Sequence, residues 1–148
     1  MTGGLRRLEE LDPRESMTLL GSVPLGRIVF TARALPAVRP VRHLVAGAHV
    51  IVATDRGVAI APAPRAETGT VVAYQADAID PACNLGWSVT VVGVAHQVGG
   101  PAADVFRREL HYWADGGNDQ IISISPGIVT GFRLLPAVKA GASGQDQR

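Results

Sequence analysis

The chain of 148 residues has one cysteine and one lysine. A single thiol, Cys83, cannot close a disulfide within the chain, and cysteines alone cannot build a metal site. The formal net charge is only +1, so no strong field steers the protein to nucleic acid or to an anionic membrane. No run of about 18 apolar residues is present, and the stretch MTGGLRRLEELDPRES lacks the apolar core of a secretory signal. The cytoplasm is therefore the expected compartment. Paired carboxylates and a nucleophilic triad are also missing, and no two of the four histidines have metal-ligand spacing. The expectation is no catalytic side chain and no metal.

Apolar material is plentiful. Hydrophobic residues make up 47% of the chain and charged residues 18%, enough for one domain with a sizeable core and a sparsely charged surface. Asp12-Pro13-Arg14-Glu15 has the form of a capping box, so a short helix is expected to residue 20 with a stop at Gly21. Residues 27–31 (RIVFT), 49–54 (HVIVAT), 70–77 (TVVAYQAD) and 88–98 (SVTVVGVAHQV) read as strands. Ala34-Leu35-Pro36 is expected to turn the chain. Residues 37–44 alternate, and Pro40 puts them at an edge, a bulge or a strand end. Gly93 marks a bulge or a tight bend. Residues 55–57 form a turn, and 58–61 are either a strand stub or the first turn of a helix. Residues 78–87 read as a loop.

Residues 101–114 show helical spacing, ended by the turn signal at 115–118. Residues 120–125 and 128–134 read as two last strands around a Ser125-Pro126-Gly127 turn. The domain is expected over residues 1–135, with a disordered tail at 136–148. Strands in succession joined by turns favour antiparallel pairing and closure into a barrel. The expected class is mainly β with short helices.

Four stretches carry a resemblance: residues 19–31 (LLGSVPLGRIVFT), 34–43 (ALPAVRPVRH), 86–95 (GWSVTVVGVA) and 124–134 (ISPGIVTGFRL). In this order they resemble the pyridoxamine 5′-phosphate oxidase-like, FMN-binding split-barrel family, within it the nitroimidazole-resistance-like branch. The resemblance implies a split β-barrel and a homodimer with flavin mononucleotide held between subunits. It implies that Arg39, Pro40, Val41, Arg42 and His43 lie along the ring, with Val41 on its face. It also implies that the segment holding Thr54, Arg56 and Gly57 grips the phosphate, and that Trp87 and Ser88 lie at the interface near the cleft.

The chain departs from that pattern at the phosphate. Relatives carry Arg-Thr where Ala53-Thr54 stands, Gly-x-Lys where Gly57-Val58-Ala59 stands, and Asn where Arg42 stands. Either Arg42 and Arg56 replace the lost charge or the phosphate site has decayed. The resemblance leads to a flavin-dependent oxidoreductase acting on a small molecule. Its alternative is a non-catalytic binder of flavin, deazaflavin or haem on the same dimer. A deazaflavin is a second cofactor to weigh. A true pyridoxamine phosphate oxidase needs further basic residues for its substrate, which a chain with Lys139 as its sole lysine lacks.

Overall fold

The computed structural model describes residues 6–54, 60, 69–110 and 120–137. Seven strands and two helices occur among them: β1 (Arg6–Leu11), α1 (Pro13–Gly21), β2 (Leu25–Ala32), β3 (Leu35–Ala46), β4 (His49–Thr54), β5 (Thr70–Asp80), β6 (Leu85–Val98), α2 (Gly100–Leu110) and β7 (Gln120–Pro136). The turns expected at 55–57 and 115–118, the stub at 58–59 and 61, the helix end at 111–114 with His111 and Trp113, and the tail from 138 lie outside the described residues.

Every strand pairing is antiparallel, in the order β1-β7-β4-β3-β2-β5-β6, and β6 pairs again with β7. Six strands thus form a ring with β1 attached outside it. Closure removes the free edges that a β-sheet otherwise exposes. Alternation does the rest. On β5, Val72, Tyr74 and Ala76 are buried between half-exposed neighbours, and on β6 so are Trp87, Val89 and Val91. They meet Ile28, Val52 and Ile122 inside the barrel.

α1 closes one end of this core. Asp12 caps it, its Oδ1 accepting from the Glu15 amide at 2.7 Å, with Pro13 at the first helical position. Glu15 does not complete the box. Its carboxylate instead accepts from Arg133 Nη2 at 3.1 Å, tying α1 to β7. Leu20 is fully buried. α2 packs on the outside, where Ala103 and Leu110 cover Ile51, Ala53 and Ile121.

Three local expectations are corrected and one strand is added. The β2–β3 turn is Arg33-Ala34, not 34–36: Ala32 pairs with Leu35, and both turn residues have left-handed φ, 54° and 64°. That is the backbone of a type I′ hairpin, which glycine and asparagine normally occupy. Replacing Ala34 by glycine is therefore expected to stabilise the fold by about 1 kcal/mol, after the unfolded-state entropy of glycine is offset. A shift in the urea midpoint with an unchanged slope checks it.

The loop expected at 78–87 is mostly strand, with Asp80 paired to Leu85 around a short turn. The two final strands are one, 17 residues long. The register slips between Val92–Ile128 and Gly93–Pro126, so Gly127 is absorbed as a bulge and Ser125-Pro126-Gly127 bends the strand without ending it. Gly93 is obligatory there, because a Cβ would lie 2.8 Å from the Ser125 carbonyl carbon. The added strand is β1, for which the sequence alone predicts no element. It pairs along one edge only, with residues 131–136 of β7.

Candidate functional site

The segment assigned to the ring divides by strand alternation. Residues 35–42 of β3 pair with β2, whereas β4 joins β3 only from His43 onward. Pro40 therefore pairs on one side alone, opposite Arg27, and its missing N–H leaves no ladder bond broken. Arg39 and Pro40 are exposed. Among the described residues, the Arg39 guanidinium bonds only its neighbour's carbonyl, Val38 O, at 3.2 Å. Arg42 Nε donates to the Leu110 carbonyl at 2.8 Å, in the last described turn of α2.

Val41 and His43 alternate with Pro40 and Arg42 and point the other way, on the face that Arg39 shares where it pairs with Ile28. Val41 is 3% exposed and sits in the barrel core, so its side chain does not lie on a ring outside the barrel. His43 is buried too. Its Nε2 donates to the Leu20 carbonyl at 2.8 Å, and its Nδ1 accepts from the Tyr74 hydroxyl. The two rings meet edge to face, centroids 4.9 Å apart. With both nitrogens engaged, His43 holds β3 to α1 and β5 and offers a cofactor no free ring nitrogen. Trp87 is likewise inside the core, 7% exposed.

Burial holds the His43 pKa below its ordinary 6.5, with the Leu20 bond opposing in part. The unfolded chain then binds a proton that the folded one refuses. The resulting stability is full above pH 6.5 and declines as pH falls from 6.5 toward the lowered native value. Urea midpoints between pH 8 and 5 are expected to fall more steeply for the natural chain than for His43→Gln. Burial also pushes the Tyr74 hydroxyl well above its ordinary range, so it stays protonated and keeps donating.

Of the phosphate segment, Arg56 and Gly57 lie outside the described residues. Ala53 is buried under α2, which explains its size: a long cation there would have to displace the helix. Thr54 is 2% exposed, and its hydroxyl has no hydrogen-bond partner among the described residues. A buried hydroxyl is rarely left unpaired. An oxygen-rich group at the end of β4 would satisfy it, and Arg39 and Arg42 carry positive charge on the adjoining strand. These residues fit a flavin with an anionic tail.

The outer sheet face supplies what sequence reasoning missed. Val38, Val29, Ala73, Val92 and Ile128 stand in one cross-strand row over five strands. Val38 is 50% and Ile128 61% exposed. The next row is Pro40, Arg27, Gln75, Thr90 and Thr130. A hollow of about 240 Å³ lies beside it, lined by Leu25, Gly26, Arg27, Pro40 and Asp77. Ser88 joins this polar group through Gln75. The signal was available in the alternation of β2, β5 and β6, but only the register says which residues share a row. Among the described residues, no cluster of three metal-ligating side chains occurs, and no helix is long and apolar enough to cross a membrane.

Residues 12–133 match the model of a family described as pyridoxamine 5′-phosphate oxidase. An uncharacterized protein of Mycobacterium tuberculosis, Rv0080, is 46% identical over 133 residues, 88% of each chain. Among solved structures, a FAD binding protein from Mycobacterium smegmatis is similar at 28% identity and TM-score 0.63, over 86% of this chain and 98% of that one. A FAD-binding protein from Mesorhizobium loti shares the fold at 19% identity and TM-score 0.65, over 87% and 98%.

Proposed function

From the chain's membership of the pyridoxamine 5′-phosphate oxidase family, we propose that it is a flavin-dependent oxidoreductase, working as a homodimer on a small molecule. The observation that carries this reading is the placement of Pro40. It lies on the part of β3 that β4 does not cover, beside a polar hollow and next to an exposed apolar row. The resemblance assigns this stretch to the ring, and the M. smegmatis relative is named for a flavin.

A bound flavin supplies the electron transfer. The protein's own groups bind, orient and exclude water. Arg39, Arg42 and the Thr54 hydroxyl are the charged and polar groups on hand for the cofactor's anionic tail. His43 acts at one remove, fixing the backbone of β3 from inside. The second copy is supported by the five-residue apolar row, a stripe that a monomer would leave in water. Two such faces meeting would put the polar row at the margin of their contact, as the wall of a cleft. The flavin is read as the mononucleotide first, with FAD and deazaflavin as the variants of the tail.

The test is direct. The purified protein is expected to be yellow or to take up added FMN in a fluorescence titration, with mass identification of whatever co-purifies. Sedimentation is expected to give twice the chain mass. A colourless protein that binds neither FMN nor FAD overturns the cofactor, and a stable monomer overturns the cleft.

A further inference from the structure

Four polar side chains on the outer sheet face form one connected set. Arg27 Nη1 donates to Gln75 Oε1 at 3.0 Å and approaches Asp77 Oδ2 at 3.7 Å. Gln75 Nε2 donates to Asp77 Oδ2 at 2.8 Å and to Ser88 Oγ at 3.1 Å. The Gln75 amide is thus fully used, and its orientation is set: carbonyl toward Arg27, nitrogen toward Asp77 and Ser88. Arg27 is different. It engages one nitrogen, keeps further donors, and remains half exposed beside Pro40. A long surface side chain loses rotamer freedom when it is held by two neighbours. Here it is held with its remaining donors at the rim of the hollow.

The strand order gives this group a place along a bound cofactor. From Thr54 on β4 to Gln75 on β5 there are three strand steps, through Pro40 on β3 and Arg27 on β2. At the usual spacing that is roughly 14 Å. A flavin with its tail at β4 and its ring crossing β3 then ends opposite β2 and β5. The pyrimidine edge of the ring carries two carbonyls flanking an N–H. Arg27 supplies donors, and Asp77 and Ser88 supply acceptors.

We propose that Arg27, oriented by Gln75 and Asp77, contacts the pyrimidine edge of the flavin and favours its reduced form. The proposal rests on the flavin reading above. Uptake of two electrons and one proton at N5 leaves the ring with a negative charge along N1 and the C2 carbonyl. A fixed guanidinium there binds the reduced ring more tightly than the oxidised one. Asp77 is a positioning residue, and its carboxylate opposes the same charge.

The experiment uses the full chain loaded with FMN and reduced by dithionite. It compares the natural protein with Arg27→Gln, Arg27→Lys and Asp77→Asn. Affinity for oxidised FMN and the midpoint potential are both measured. Arg27→Gln is expected to cut the preference for reduced over oxidised flavin roughly tenfold, a fall of about 30 mV for a two-electron couple. Arg27→Lys is expected to keep most of the potential, and Asp77→Asn to move it upward. Opposite signs from two partners of one ion pair are not what a merely structural pair produces. Unchanged potentials, or shifts of the same sign, overturn the proposal while FMN uptake by the natural protein leaves the flavin reading standing. Failure of the natural protein to take up FMN overturns both.

Discussion

Tyr74→Ala is expected to cost about 3–5 kcal/mol, the range for removing a large buried ring, out of a total stability of some 5–15 kcal/mol for a domain of this kind. Tyr74 is fully buried at the middle of β5. Four strands close around it. Gly26 of β2 leaves room for its hydroxyl, since a Cβ there would come within 2.7 Å of the Gln75 carbonyl and against the phenol itself. His43 Nδ1 of β3 accepts a hydrogen bond from its hydroxyl. The core of β6 and β7 packs the other side of the cluster. Alanine would open a cavity and leave His43 Nδ1 without its donor. Tyr74→Phe separates the two effects. It keeps the packing and removes only the hydroxyl, so it is expected to cost about 1–3 kcal/mol, the penalty of one buried group left unpaired. Urea unfolding of both variants measures the difference. A Phe variant as stable as the natural chain would show that the His43–Tyr74 bond contributes nothing net.

Val92→Arg is the second large effect, and it tests the proposed homodimer. Val92 stands within the apolar row, with Val38, Val29 and Ala73 on one side and Ile128 on the other. In a contact between two copies related by a twofold axis, each substitution appears twice. An unpaired charge in a buried interface costs about 3–5 kcal/mol, so two of them are enough to dissociate a contact of ordinary size. The variant is expected to sediment as a monomer at micromolar concentration. Its FMN affinity is expected to fall at least about a hundredfold, because the proposed cleft between subunits would lose the wall that the second copy supplies. Its fold should survive, since residue 92 faces outward and its barrel-facing neighbour Val91 is unchanged. A dimeric Val92→Arg with normal FMN uptake would move the interface to another face.

The class of fold and most of its elements were legible in the chain. Period-two alternation marks β5 and β6, the β-branched run HVIVAT marks β4, and the Asp12-Pro13 start marks α1. Gly93 in mid-strand announced the bulge that the register confirms. These signals are local, and local steric and solvation rules decide them. The misreadings have a common cause. Ser125-Pro126-Gly127 looks like a chain reversal, yet the ladder with β6 carries the strand through it. Residues 6–11 carry no strand pattern of their own, yet β7 offers them an edge. Arg33-Ala34 holds a turn without glycine because the strands on either side impose it.

Side-chain direction at the candidate site was the larger gap. Which of residues 39–43 face a cofactor depends on the barrel's inside and outside. Counting along one strand separates odd from even but does not say which is which. Register with β2 and β5 puts Pro40 beside Arg27 and Gln75, and closure of the ring turns Val41 and His43 inward. Residue pattern alone therefore determined that this chain makes an antiparallel barrel with a short capping helix. Only the pairing of distant strands decided which polar groups share its outer face, because that is set by contacts between residues tens of positions apart.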